Sequence, residues 1–164
     1  MSLSNTPPTD TAHQHWNSEW ADLPADSKWR VPEEDVTAWA ATLDPGSRIL
    51  DLGAGVGRHA LWLAQQGFAV TALDAAPEGM AAVAASGTEV TTVVAGMDAL
   101  PFDKGTFDHV LSWNVLYHGD EDVVLSAIGQ IRRVLRPGGT FLGTMLSKRR
   151  LPHEQARPGG REVS

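Results

Sequence analysis

The sequence predicts an α/β fold: a doubly wound, mostly parallel sheet with helices on both faces, built within a chain of 164 residues. Three observations predict it. Short apolar runs alternate with helical segments along most of the chain. The run Arg48-Ile-Leu-Asp-Leu52 passes into a glycine-rich turn and then a helix, and a second apolar run follows that helix. A strand, a crossover helix and a returning strand make a βαβ unit, whose strands lie parallel.

The elements follow in order. Residues 1–15 are rich in Ser, Asn, Thr and Pro without apolar periodicity, and are expected to be disordered. Residues 16–146 form the expected domain. Pro32 followed by Glu33-Glu34-Asp35 starts a helix running to about Leu43, which Pro45-Gly46 ends. The first strand is 48–52. Glycines between 53 and 57 lead into a helix over 59–66, with Leu61 and Leu63 on its apolar side, closed by Gly67. The second strand, 68–73, ends at Asp74. An Ala-rich helix over 77–85 stops at Ser86-Gly87. Residues 89–94 read as a third strand, 107–113 as a fourth, 121–135 as a long amphipathic helix, and 140–146 as a fifth strand after a turn at Pro137-Gly138-Gly139. The remainder, 147–164, gathers Lys148, Arg149, Arg150, Arg157 and Arg161 among Pro and Gly, and reads as a solvated basic tail.

Composition narrows the function classes. A hydrophobic fraction of 42% with 20% charged residues is that of a soluble globular domain. No apolar run approaches the roughly 20 residues that cross a bilayer, and no membrane partner is expected. A net charge of −7 argues against a nucleic-acid surface, which needs clustered Lys and Arg to offset phosphate repulsion. The absence of cysteine excludes a disulfide framework and a thiolate metal site, and His59, His109, His118 and His153 have no metal-ligand spacing, so no metal is expected. The N-terminus lacks the charged and apolar regions of a signal peptide, which makes the cytoplasm the expected location.

The glycine turn carries the chemistry. Gly53, Gly55 and Gly57 let the backbone turn sharply and approach a ligand, and the helix behind them directs free N–H groups toward negative charge. Gly55-Val-Gly57-Arg-His-Ala60 also fits the G-x-G-x-x-G/A dinucleotide pattern. Against a pyrophosphate stands Asp51, two residues before the first glycine, where a carboxylate repels phosphate and attracts an ammonium. S-adenosylmethionine (SAM) has an ammonium and no phosphate. Asp74, at the end of the second strand, suits ribose hydroxyls in NAD and SAM alike. Gly96-Met-Asp98-Ala-Leu-Pro-Phe102 adds an acid beside apolar residues, an acceptor for an adenine amino group next to a surface for the ring.

Together these segments resemble the class I SAM-dependent methyltransferases, a Rossmann-like family, from about Arg48 to Leu146. The matching stretches, in family order, are Ile49-Leu-Asp-Leu-Gly-Ala-Gly-Val-Gly-Arg-His-Ala60, Val70-Thr-Ala-Leu-Asp74, Asp98-Ala-Leu-Pro-Phe102, Phe107-Asp-His-Val-Leu-Ser-Trp-Asn114 and Val134-Leu-Arg-Pro-Gly-Gly139. Gly57-Arg-His-Ala60 and Leu116-Tyr-His118 look most like the small-molecule branch, including tellurite-resistance-type enzymes. The resemblance implies that Asp51 holds the methionine ammonium. It places Gly53, Ala54, Gly55 and Gly57 along methionine and ribose, and Asp74 with Ala75 at the ribose hydroxyls. Asp98 would take the adenine amino group between Met97 and Ala99, and Trp113-Asn114 would border the methionine and a small-molecule methyl acceptor.

Other residues carry plainer expectations. Arg58 reads as a surface residue, with contact to the cofactor carboxylate as the alternative. Trp16, Trp20 and Trp29 are expected to pack across the sheet rather than stack on substrate, although in the family that the chain resembles N-terminal segments often cover the cofactor. His118 is the one histidine considered for a place near a substrate, with a packed, hydrogen-bonded role as the alternative. In-line methyl transfer requires no catalytic residue beyond those that align the reactants. The resemblance also implies seven strands, the last two forming a hairpin beside the fifth. After Leu146 the chain offers no such strands, so the last two are expected to be missing, leaving a truncated sheet or an edge covered by a second copy in a homodimer. Two further readings stay open: a SAM-binding module or noncatalytic partner without turnover, and an NAD-dependent oxidoreductase, against which Asp51 and the Asp98 segment count.

Overall fold

The computed structural model describes residues 12–21 and 23–145. Helix α1 (Ala12–Ala21), a 3-10 turn (Lys28–Arg30) and α2 (Glu34–Ala40) precede the alternating body of the domain. That body is β1 (Arg48–Leu52), α3 (Arg58–Gln65), β2 (Ala69–Asp74), α4 (Pro77–Ala85), β3 (Thr91–Val94), β4 (Phe107–Ser112), a second 3-10 turn (Leu116–His118), α5 (Glu121–Val134) and β5 (Leu135–Gly143). The five strands form one parallel sheet in the order β3-β2-β1-β4-β5. The chain winds outward from β1 through β2 to β3, then returns to β4 on the other side. The resulting switch point between β1 and β4 is where open α/β sheets bind ligands, beyond the carboxyl ends of the strands.

Alternation along the strands divides the core. Ile49, Val70, Ala72 and Leu111 face α2, α3 and α4, packing with Val36, Ala60, Leu63, Met80 and Val83. Leu50, Leu52, Leu73 and Val110 face the other way, onto Ala127, Ile131 and Val134 of α5. A central strand covered on both faces must be apolar where it is buried, and β1 is, apart from Asp51, with Arg48 at its exposed start. Asp120 caps α5 by accepting the Val123 N–H at 3.0 Å, with Glu121 and Asp122 in the first turn and Arg132 and Arg133 in the last, the charge order a helix dipole favours. Arg133 also donates to the carbonyls of Leu100 at 2.8 Å and Phe102 at 2.6 Å, fixing the segment after β3 onto α5.

Several boundaries differ from the sequence reading. Helix α1 begins at Ala12, inside the stretch expected to lack order. Helix α2 ends at Ala40, before Leu43, and β3 begins at Thr91 rather than at residue 89. Pro137-Gly138-Gly139 is a bulge within β5 and not a turn before it. Leu135 turns extended directly after α5 and pairs with Phe107, and the register slips so that His109 pairs with Thr140. Gly138 absorbs the slip at φ +78°, and Pro137 sits on an edge strand that spares it a ladder N–H. Phe141 on that edge is 43% exposed. The first eleven residues and the tail over 147–164 lie outside the described residues. Among the described residues, no helix is long and apolar enough to cross a membrane.

Candidate functional site

Three glycines after β1 hold left-handed backbone, Gly53 at φ +77°, Gly55 at +56° and Gly57 at +83°. Space constrains them as well. A Cβ on Gly53 would overlap Val115, one on Gly55 would lie 2.8 Å from the Trp20 ring, and one on Gly57 would lie 2.6 Å from Val83. The end of β2 straps the loop down. The N–H groups of Gly53 and Ala54 donate to the Leu73 carbonyl at 2.7 and 3.0 Å. Asp74 accepts the Gly55 N–H on Oδ2 and the Ala76 N–H on Oδ1, both at 2.8 Å. Burial raises the Asp74 pKa, opposed by the N–H groups of Ala76, Gly55 and Ala75.

Asp51 lies beneath this loop. It is 1% exposed, and burial pushes its carboxyl up to about 7 against a backbone hydrogen bond at Ala60, with the Asp74 charge adding to the rise. Its Oδ2 has no partner among the described residues.

The first turn of α3 turns inward. The Arg58 side chain is only 10% exposed: Nη1 reaches Glu33 Oε1 at 2.8 Å and the guanidinium stands 5.0 Å from the Trp29 ring centre, so it is not the surface residue expected. His59 is buried, with Nε2 accepting the Glu33 N–H at 3.3 Å. Burial first, then the Arg58 charge, lowers its pKa to about 3, which keeps the imidazole neutral with its proton on Nδ1.

The N-terminal tryptophans take the alternative course: they cover the loop instead of packing across the sheet. Trp16 and Trp20 come from successive turns of α1 and stack at 5.1 Å, and Trp29 meets both edge-on at 5.8 and 6.0 Å. The Trp20 ring rests on Gly55 and Gly79, where Cβ atoms would come within 2.8 and 3.2 Å of it. Its Nε1 is buried without a partner among the described residues. Asn17 accepts the Glu78 N–H at 3.0 Å, tying α1 to the start of α4. Across the cavity, Asn114 takes φ +60°, a conformation Asn tolerates. Its N–H donates to Thr144 Oγ1 at 2.7 Å.

These elements enclose one cleft at the carboxyl ends of β1, β2 and β4, about 1030 Å³ with its open mouth included. Of the residues singled out from sequence, Gly53, Ala54, Asp74, Ala75, Met97, Trp113 and Asn114 line it. Asp51, Gly55, Gly57, Asp98 and Ala99 are not among its described lining residues. Trp20 covers Gly55, while Asp98 and Ala99 are exposed on the segment beyond Met97. Trp16, Trp20, Trp29 and Arg58, which the sequence placed at the cofactor only as alternatives, line the cleft as well, His118 lines it beside Tyr117, and His59 and Tyr117 are lining residues that the sequence did not single out. The i, i+4 spacing of Trp16 and Trp20 was the available signal that both share one helix face.

The chain matches the family model described as "Methyltransferase domain" over residues 49–139, more than half its length. It is 35% identical over 99 residues to an uncharacterized methyltransferase of Synechocystis sp., covering 60% of this chain and 47% of that protein. It is 31% identical over 147 residues to an S-adenosyl-L-methionine-dependent Diels-Alderase of Talaromyces variabilis, covering 84% and 48%. Among solved structures, it is similar to an S-adenosylmethionine-dependent methyltransferase from Mesorhizobium loti, with 30% identity and a TM-score of 0.58 over 65% of this chain and 51% of that one. The chain spans about half the length of the curated relatives it matches.

Proposed function

The chain belongs to the methyltransferase-domain family, with the parallel sheet of the class I SAM-dependent enzymes, and from that premise we propose that it binds SAM in the cleft and transfers its methyl group to a small-molecule acceptor. The observation that carries this reading is the run of the cleft past Met97 and Asp74 to Gly53, Ala54, Trp113 and Asn114 across the switch point.

The cleft suits adenosine at one end. Leu73, Ala95 and Met97 supply apolar wall, and the Asp74 carboxylate, though it already accepts backbone N–H groups, keeps acceptor capacity for a ribose hydroxyl. Gly53 and Ala54 would carry the methionine portion along their backbone. Asp51, buried at the end of β1 with Oδ2 unpartnered among the described residues, would face the methionine ammonium, whose positive charge would favour the ionised carboxylate. Bound SAM supplies a methyl group on a sulfonium, whose transfer consumes positive charge. The protein's own part is alignment and exclusion of water, supplied by the indoles of Trp16, Trp29 and Trp113 around the cleft. His59 cannot serve as a base through Nε2, which is committed to Glu33. Asp98 and Ala99, beyond Met97, would act at the rim, the former toward an adenine amino group.

A second reading, SAM binding without methyl transfer, has support in the Talaromyces relative, whose name joins SAM dependence to a Diels–Alder reaction. Incubation with SAM and a panel of phenols, thiols, amines and carboxylates separates the two. Release of S-adenosylhomocysteine with at least one acceptor is expected. Tight SAM binding with no such release from any of them would leave the binding module as the better account.

A further inference from the structure

The wall of the cleft beyond the glycine loop is more aromatic than holding a cofactor requires. Trp16 is met edge-on by His118 at 5.7 Å and by Trp29 at 5.8 Å, and Tyr117 lies 4.6 Å from His118. Trp113 closes the opposite side, with the buried His59 ring edge-on to it at 6.2 Å. All six rings line the same cleft.

The charges around these rings weigh against one substrate class. An aromatic cage attracts an ammonium through its ring faces, most strongly when a carboxylate stands nearby. Here the Trp29 ring already carries the Arg58 guanidinium at 5.0 Å. Glu33 is engaged with Arg58 at 2.8 Å, and in the SAM-binding reading Asp74 and the buried Asp51 are taken by the cofactor's ribose and ammonium. A cationic acceptor would meet a resident cation, and among the described lining residues no acid is left over to balance it. A flat ring without positive charge would meet ring edges and faces at the separations aromatic pairs favour.

Resting on the SAM-binding reading above, we propose that the acceptor subsite takes a planar aromatic compound, neutral or anionic, held among Trp16, Trp29, Trp113 and Tyr117, and disfavours cationic amines. Its test is calorimetric titration of the full chain saturated with S-adenosylhomocysteine, using three matched probes. These are 2-naphthol, its saturated counterpart decahydro-2-naphthol, and 2-(aminomethyl)naphthalene in its protonated form. 2-Naphthol binds at least about fivefold more tightly than either of the others, the factor expected from one good ring pairing. Equal affinities, no binding of 2-naphthol, or preference for the saturated or the cationic probe overturns the proposal. The preceding titration with S-adenosylhomocysteine stands apart: no heat there defeats the cofactor reading, whereas heat there without a naphthol preference defeats only the acceptor class. Intermolecular NOEs place the ring in the unmodified protein. Contacts from naphthol protons to the Trp16 or Trp29 indole support the assignment, and bound naphthol without such contacts contradicts it.

Discussion

Replacing Gly55 by alanine probes the contact on which the roof of the cleft rests. At φ +56° the added side chain costs about 1–2 kcal/mol in left-handed backbone alone. The new Cβ also falls 2.8 Å from Cζ2 of Trp20, a ring seated on Gly79 as well, and displacing a packed group costs about 1–3 kcal/mol. The sum is about 2–5 kcal/mol, or a fall in Tm of about 4–20 °C at ~2–4 °C per kcal/mol for a chain of this size. Gly46 is the reference. It has φ +75° and nothing within 4 Å of its Cβ position, so Gly46→Ala carries the backbone cost alone, a fall of about 2–8 °C. Thermal unfolding followed by far-UV circular dichroism reads both variants without depending on tryptophan emission. In a Trp20→Ala background, the excess cost of Gly55→Ala over Gly46→Ala should vanish, because the two effects share one contact. Equal costs for the two glycines, or an excess that survives loss of the indole, would refute the seating of Trp20 on the glycine loop.

Other expectations concern charge. Because burial pushes the Asp51 carboxyl up to about 7, the folded chain retains a proton the unfolded chain loses between about pH 4 and pH 7. This group's contribution to stability is therefore greatest below that window and falls across it. The urea midpoint of Asp51→Asn relative to the parent should rise between about pH 5 and pH 8, and a constant offset would contradict the burial argument. His59, lowered to about 3, should show the nitrogen chemical shifts of a neutral Nδ1–H imidazole at about pH 5, whereas titration near 6.5 would mean it is not held as described. Asp74→Ala strands the N–H groups of Gly55 and Ala76, and should weaken S-adenosylhomocysteine binding by about tenfold or more, since hydrogen bonds to charged groups are worth about 1.5–3 kcal/mol. Unchanged affinity would remove Asp74 from the site.

The strand–glycine–helix pattern made the core of the fold legible, because two-sided burial demands apolar strands and the left-handed turn demands glycine. Asp74 could be read because an acid closing β2 has only the loop and a ligand to face. The boundaries were less visible. Nothing local in Pro137-Gly138-Gly139 distinguishes a turn from a bulge, and the pairing of Leu135 with Phe107 decides it. Arg58 looks like any polar residue in a first helical turn until Glu33 and Trp29, far away in sequence, close around it. The same applies to Trp20, whose seat combines Gly55 with Gly79. Asp51 could be placed at the end of β1, but its burial, which raises its pKa, depends on how the loop and α3 close over it.

The central question is what occupies the cleft. Calorimetric titration of the full chain with S-adenosylhomocysteine, repeated in the presence of excess NAD, tests this most directly. One molecule bound per chain, with affinity unaffected by NAD, is the predicted result. No heat with either S-adenosylhomocysteine or SAM, or displacement by NAD, would contradict the assignment of the cleft as a SAM site.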